Sequence, residues 1–225
     1  MLLSLLIAGV VGYLLGSLPF GFLVAKAHGV DIFAAGSGNP GATNVKRVLG
    51  ARAGNLVYLL DALKGAIATG WPWVWEKSRG PHLGLIFEHG GLRAMAAIDV
   101  ALPFCLAGLV GAVLGHTFSL FTAFKGGKGV ATASGGLVVL MPGPILIGAV
   151  VWLVTFLLSR YVSLASILAA IVVPSSAWLL GLHPALKIVV TALGVLVIVR
   201  HQGNIGRLLA GTEHRWERKA ADRDP

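Results

Sequence analysis

The 225-residue chain is 56% hydrophobic and only 12% charged, with a mean hydropathy of +0.83. In a soluble domain about a quarter of residues are charged, so the composition excludes a soluble globular protein and leaves an integral membrane protein, long enough for about six to eight helical spans. The formal net charge of +9 would point to nucleic acid in a soluble chain; here it fits Lys and Arg gathered in cytoplasmic loops, with an anionic substrate or anionic headgroups as a secondary reading.

Span 1 is predicted from about Leu2 to Ala25, closed by Lys26. Met1 to Ala25 carries no charge, and neither a basic n-region nor a cleavage site is convincing, so the segment reads as an uncleaved span with its N-terminus outside. A loop rich in glycine, amides and hydroxyls follows, Gly36-Ser37-Gly38-Asn39-Pro40-Gly41-Ala42-Thr43-Asn44-Val45-Lys46-Arg47. Span 2 is predicted from about Leu56 to Trp75, with Trp71, Trp73 and Trp75 as an interfacial belt. Glu76 to Arg93 reads as an external loop, and span 3 runs from about Ala94 to Gly115. Its single cysteine, Cys105, has no intrachain partner and reads as packing. The second polar loop, Phe124-Lys125-Gly126-Gly127-Lys128-Gly129-Val130-Ala131-Thr132, comes next.

Two long apolar stretches remain. Val130 to Ser159 is interrupted by Met141-Pro142-Gly143-Pro144, and Ser163 to Val199 by Gly181-Leu182-His183-Pro184. Breaking both gives seven spans and breaking neither gives five; either count puts all the polar loops on one side. Breaking only one would send the last loop and the basic tail outside, against the positive-inside rule. A 30-residue helix would be roughly 45 Å long, against a hydrocarbon core of about 30 Å, so seven is preferred, with spans 4 and 5 short. The third loop, Arg200-His201-Gln202-Gly203-Asn204-Ile205-Gly206-Arg207-Leu208, closes the bundle, and the charged tail after Trp216 is expected to fray. The fold expected is an all-α polytopic bundle of about seven helices, one domain over 1–225, with its motif loops on the cytoplasmic face. Lys46, Arg47, Arg52, Lys125, Lys128, Arg160, Arg200 and Arg207 then lie inside, and Lys77, Arg79, Arg93 and Lys187 outside.

The three loops share one chemistry. Glycine lets backbone N–H groups approach an anion, and Ser, Thr, Asn, Lys and Arg add donors. Singly, each has a plainer reading. Ser-Gly-Asn-Pro-Gly is good turn chemistry, and Thr43 and Asn44 suit helix caps. Gly126-Gly127-Lys128-Gly129 is not a Walker A loop, because Thr122 stands where the first glycine is needed and Gly129 where the magnesium hydroxyl is needed. His201, Asn204 and Arg207 recur every third residue, which puts them on one helical face. Three such loops on one side of a membrane suggest a site that handles phosphates. Asp61 and Lys64, three apart within span 2, read equally as functional groups or as a structural ion pair. Gly12/Gly16 and Gly111/Gly115 suit close helix packing. His82, Glu88 and His89 fall in the external loop, and no metal is assigned to them.

The segments GSGNPGATN (36–44), HTFSLFTAFKGGKGVAT (116–132) and HQGNIGRLLAGTE (201–213) resemble the three cytoplasmic motifs of the acyl-phosphate:glycerol-3-phosphate acyltransferases, the PlsY family. Asp61-Ala62-Leu63-Lys64-Gly65 fits the same pattern, and one departure is Ser119, where the family usually has proline. The resemblance implies transfer of a fatty acyl group from acyl phosphate to the 1-hydroxyl of glycerol 3-phosphate, giving lysophosphatidic acid and phosphate, the first step of bacterial phospholipid synthesis. It implies Ser37, Lys128, Asn204 and His201 as catalytic residues. Lys128 and Arg47 bind phosphate, Ser37 holds the acyl-phosphate head, Asn204 orients the glycerol hydroxyl, and His201 is the one alternative base to a substrate phosphate oxygen. Gly38, Asn39, Gly41, Thr43, Asn44, Gly126, Gly127, Gly129, Ser163, Ser166, Arg207 and Glu213 line the site, Glu213 by orienting a cation. It further implies a monomer in the bacterial inner membrane, C-terminus inside, with no cofactor, metal or nucleic acid. Consistent with this, no His is followed by Asp five residues on and no Gly-x-Ser-x-Gly elbow is present. A transporter or channel for a phosphorylated anion is the alternative, but it would place its charges at the midplane.

Overall fold

The computed structural model describes the backbone of residues 1–78 and 91–216. His82, Glu88 and His89 of the expected external loop, and the tail beyond Trp216, lie outside the described residues. Among those described, the regular elements are all helical: α1 (Leu2–Ser17), α2 (Phe20–Ala27), α3 (Ala42–Leu49), α4 (Ala51–Ser78), α5 (Gly91–Thr117), α6 (Val130–Leu140), α7 (Pro142–Ser159), α8 (Val162–Leu179), α9 (Pro184–Arg200) and α10 (Gln202–Leu209), with a 3₁₀ turn at Leu120–Thr122.

Each apolar segment expected to span is helical, and both expected breaks are present. Proline explains them: Pro142 and Pro184 open α7 and α9, where the missing N–H costs no intrahelical bond. Leu2–Ala27, Ala101–Thr122, Pro142–Ser159 and Val162–Leu179 are long and apolar enough to cross a membrane, and the pair α9–α10, bent by 55° at His201, makes a fifth. Among the described residues that makes at most five, fewer than the seven expected. At 11 residues, α6 is about half a hydrocarbon core in length, and α4 carries Asp61 and Lys64 in its interior.

Three boundaries differ from expectation. The first span is not one rod, because Pro19 separates α1 from α2. α4 and α5 extend to Ser78 and from Gly91, shortening the connection predicted over 76–93. Thr43 and Asn44 do not cap α3; Gly41 occupies that position without a side-chain bond.

Tight packing of α1 on α5 anchors the bundle. A Cβ on Gly12 would lie 2.3 Å from the Gly108 carbonyl oxygen, and one on Gly115 2.1 Å from that of Tyr13, so the small residues allow direct backbone contact between spans. A second core joins α5, α6, α8 and α9 through Leu109, Val113, Leu137, Val173, Val190 and Leu193. Leu2, Leu146, Leu158 and Ile188, each more than 60% exposed, face outward, as lipid-facing positions do.

Candidate active site

The first loop is built around Asn44, 2% exposed on α3. Its Oδ1 accepts from the Ser37 N–H at 2.8 Å and from Arg47 Nη1 at 3.2 Å, while its Nδ2 donates to the Ala35 carbonyl at 2.9 Å. Asn44 thus fastens the loop to its own helix. Gly36 and Gly38 adopt φ of +60° and +68°, a region open mainly to glycine. Asn39 Oδ1 accepts from the Gly41 N–H at 2.9 Å, closing the Asn39-Pro40-Gly41 turn. Ser37 is exposed at its mouth and Thr43 half-buried on α3.

In the second loop Ala123 and Phe124 take positive φ, 49° and 61°, an unusual pair for residues with a Cβ. The Phe124 N–H donates to the Ser119 carbonyl at 2.8 Å and Thr122 Oγ1 to the Lys125 carbonyl at 2.8 Å, holding that turn. Ser119 keeps the geometry proline would impose, with φ −66°, and its hydroxyl donates to the Ser17 carbonyl at 2.6 Å. Gly129, at φ +82°, starts α6. The N–H groups of Gly38, Gly41 and Gly127 are all engaged within the protein, with Ala35 O, Asn39 Oδ1 and His116 O. In this conformation those three N–H groups are not available to an anion.

The third loop supplies the junction. His201, 3% exposed at the α9–α10 bend, has Nδ1 2.7 Å from the Val197 carbonyl. That contact requires a proton on Nδ1, which leaves Nε2 of the neutral ring as an acceptor. Asn204, one turn on, receives the Lys128 Nζ on Oδ1 and donates from Nδ2 to Glu213 Oε1 at 2.6 Å. Glu213 also accepts from Ser163 Oγ at 2.8 Å and from Arg207 Nε at 2.7 Å. One carboxylate therefore ties α8 and α10 together through Ser163 and Asn204, and Asn204 extends the tie to Lys128 in the second loop.

Charge completes the site. Burial pushes the Lys128 ammonium down to about 8, with the guanidinium groups of Arg207, Arg47 and Arg200 adding to the effect and Glu213 opposing it. Arg47 is lowered by burial as well, against the attraction of Glu213. Burial alone would raise the Glu213 carboxyl, but bonds from Asn204, Ser163 and Arg207 hold it below its ordinary value. Lys128, Arg47 and Arg207 thus share one carboxylate, with Arg200 near enough to Lys128 to add to their repulsion. Nε of Arg47 is buried with no hydrogen-bond partner among the described residues, and such a donor costs about 1–3 kcal/mol unless a ligand meets it. Ser166 stands apart from this network, its Oγ accepting from Trp152 Nε1 at 3.1 Å between α8 and α7.

A pH dependence follows. Phosphate binding needs the cation, so kcat/KM, which reports the free enzyme, is expected to fall as pH rises through about 8. Lys128→Arg, whose charge persists, should abolish that limb. The stability sign is opposite. With the folded value below the unfolded one, the unfolded chain binds more protons above about 8, and the ligand-free protein should gain stability with rising pH. Rate profiles and thermal melts over the same pH range check both.

Sequence reasoning pointed to Ser37, Arg47, Lys128, His201, Asn204 and Glu213 but missed Arg200, whose Nη2 reaches the Gly126 and Gly127 carbonyls at 3.4 Å each. Its place beside His201 at the head of the third loop was the available signal.

Among the described residues, cations of all three loops gather around one carboxylate, Glu213, an arrangement suited to a membrane protein that handles phosphorylated molecules. The chain belongs to the glycerol-3-phosphate acyltransferase family, whose model matches residues 6–211, and it is an acyltransferase of the membrane. It is 42% identical over 207 residues to the glycerol-3-phosphate acyltransferase of Aquifex aeolicus (strain VF5), covering 92% of this chain and 96% of the relative. It is 42% identical over 211 residues to that of Mesorhizobium japonicum, covering 93% and 95%. The fold matches the crystal structure of PlsY (YgiH), an integral membrane glycerol 3-phosphate acyltransferase, in its glycerol 3-phosphate form, with a TM-score of 0.80 and 40% identity over 95% of this chain and 96% of that one. The lysophosphatidic acid form of the same protein matches with a TM-score of 0.77, at the same identity and coverage.

Proposed function

We propose that this protein transfers a fatty acyl group from acyl phosphate to the 1-hydroxyl of glycerol 3-phosphate, releasing lysophosphatidic acid and inorganic phosphate. The observation that carries the reading is the convergence of Lys128, Arg47, Arg200 and Arg207 on the Asn204–Glu213–Ser163 network, with the Arg47 Nε donor still unpaired. Both substrates carry phosphate, and an acyl chain can lie in the surrounding lipid.

In the reaction the glycerol hydroxyl oxygen attacks the acyl carbonyl carbon. The new ester C–O bond forms, the C–O bond to phosphate breaks, and the electron pair leaves with phosphate. The hydroxyl proton passes to a phosphate oxygen of a substrate, with no acyl-enzyme formed. Acyl phosphate is already activated, so positioning and charge neutralisation carry most of the rate. Lys128 and Arg47 neutralise phosphate, Ser37 steadies the acyl-phosphate head and the developing oxyanion, and Asn204 orients the nucleophile. His201, with Nε2 free to accept, is the second candidate for the proton.

The whole chain acts as one monomeric domain in the cytoplasmic membrane, N-terminus outside and motif loops inside, and it needs no metal or nucleotide. A thioester donor would leave the cationic pocket unfilled, and polar sites discriminate strongly against a missing partner. The test supplies purified protein and glycerol 3-phosphate with palmitoyl phosphate or palmitoyl-CoA, with and without EDTA. Turnover is expected from palmitoyl phosphate alone and unchanged by EDTA; comparable rates from both donors, or loss on chelation, would overturn the reading. Orientation is tested separately. Ser37 and Gln202 are exposed while the one native cysteine, Cys105, is buried, so Ser37→Cys and Gln202→Cys should both react with an impermeant thiol reagent from the cytoplasmic side. Labelling from opposite sides would contradict the topology.

A further inference from the structure

Below the site lies a group of ionisable side chains that the mechanism does not use. Asp61 and Lys64, a turn apart on α4, are 2% and 4% exposed and paired at 2.8 Å. His116, near the end of α5 and 8% exposed, has Nδ1 3.5 Å from the same carboxylate oxygen. Lys64 Nζ also donates to the Leu18 carbonyl at 2.8 Å, at the break between α1 and α2, and lies 5.5 Å from the Phe20 ring centre. A buried ion pair is often no more stabilising than a well-packed apolar replacement, and charges at membrane depth cost several kcal/mol. Stability alone is a poor account of this group.

What it touches suggests another. The Gly127 N–H donates to the His116 carbonyl at 3.0 Å. A Cβ on Gly127 would lie 2.2 Å from His116 Nε2, and one on Gly126 2.0 Å from the His116 carbonyl oxygen. The turn before Lys128 is therefore seated on His116, while Arg200 holds its carbonyls from another element, the end of α9. Gly126 and Gly127 are the only residue type that permits such an approach, since any side chain there would displace the ring or the backbone it rests on.

We propose that Asp61, Lys64 and His116 are positioning residues for acyl transfer: Lys64 fixes Asp61 against the break in the first span, Asp61 orients the His116 ring, and that ring sets the Gly126–Gly127 turn that aims Lys128. This rests on the reaction proposed above; failure of that reading would show in the parent protein, whereas failure of this one shows in the ratio of variant to parent.

The test uses two changes that do not strand a charge. His116→Asn keeps a donor toward Asp61 but removes the ring beneath Gly127. The pair Asp61→Asn/Lys64→Met keeps the ring and removes both charges together. Purified protein is assayed with palmitoyl phosphate and glycerol 3-phosphate, and thermal midpoints are read in detergent. Each variant should melt within about 5 °C of the parent and lose at least roughly tenfold in kcat/KM for acyl phosphate. In a Lys128→Arg background, where aim is already lost, the same changes should add less than about twofold, because residues that act through one group are not additive. Folded variants with activity close to the parent's, or losses that multiply fully with that of Lys128→Arg, would overturn the proposal. Failure of both variants to fold would assign the group to bundle assembly and overturn it equally.

Discussion

Replacing Lys128 with alanine is expected to lower kcat/KM by roughly a hundredfold while leaving the protein folded. Lys128 is the side chain of the second loop that crosses to the third, through its contact with Asn204 Oδ1. It is also buried enough that its ammonium is pushed down to about 8. Losing a charge-assisted bond to phosphate costs about 1.5–3 kcal/mol, or roughly ten- to a hundredfold in rate, and Asn204 loses its anchor as well, which places the effect at the upper end. Lys125, three residues earlier and exposed, serves as the control, and Lys125→Ala should cost far less. Arg47→Ala should fall between them, because its guanidinium shares the field of Glu213 and Arg207. Steady-state kinetics with both substrates check the order. A Lys128→Ala protein that turns over at nearly the parental rate would remove Lys128 from the reaction.

Glu213→Ala should be comparably severe for a different reason. The carboxylate makes no substrate contact in this account; it accepts from Ser163, Asn204 and Arg207 at once and is the acidic group among four cations. Removing it leaves those donors without their acceptor and lets Lys128, Arg47 and Arg207 repel one another. A loss of at least about tenfold in kcat/KM is expected, with a lower thermal midpoint. Glu213→Gln keeps one oxygen acceptor but places an amide against donors, so it should fold better than Glu213→Ala and remain impaired. The sign of the melting change separates this account from one in which Glu213 is a proton donor, since a purely catalytic acid would lose rate without losing stability.

The legible part of the fold was what proline and hydropathy control. Pro142 and Pro184 marked two helix starts from sequence, and the Gly12/Gly16 and Gly111/Gly115 pairs marked the α1–α5 crossing. The break at Pro19 passed unnoticed, although Gly16, Ser17 and Gly21 flank that proline, because the run around it carries no charge. The loops were legible as a set because each combines glycine with donors. What composition could not reveal was how those groups are used: the N–H groups of Gly38 and Gly41 serve their own turns, and that of Gly127 bonds to the end of α5. Nor could spacing along the chain bring His116 to Asp61, a contact between residues 55 positions apart that depends on α4 and α5 packing together. Asp61 and Lys64 had two equal readings from sequence; the ion pair is now visible, and its contact with His116 ties it to the second loop.

The central claim is that the three loops form a single site for transfer between two phosphorylated molecules. The most direct measurement follows lysophosphatidic acid and inorganic phosphate together, using pure protein in a lipid mesophase supplied with palmitoyl phosphate and glycerol 3-phosphate. The account expects the two products in equal amounts, no acyl adduct in the intact mass of the protein during turnover, and the signal lowered roughly a hundredfold by Lys128→Ala. Phosphate release without lysophosphatidic acid, or a palmitoylated protein that accumulates and then transfers its acyl group, would contradict it.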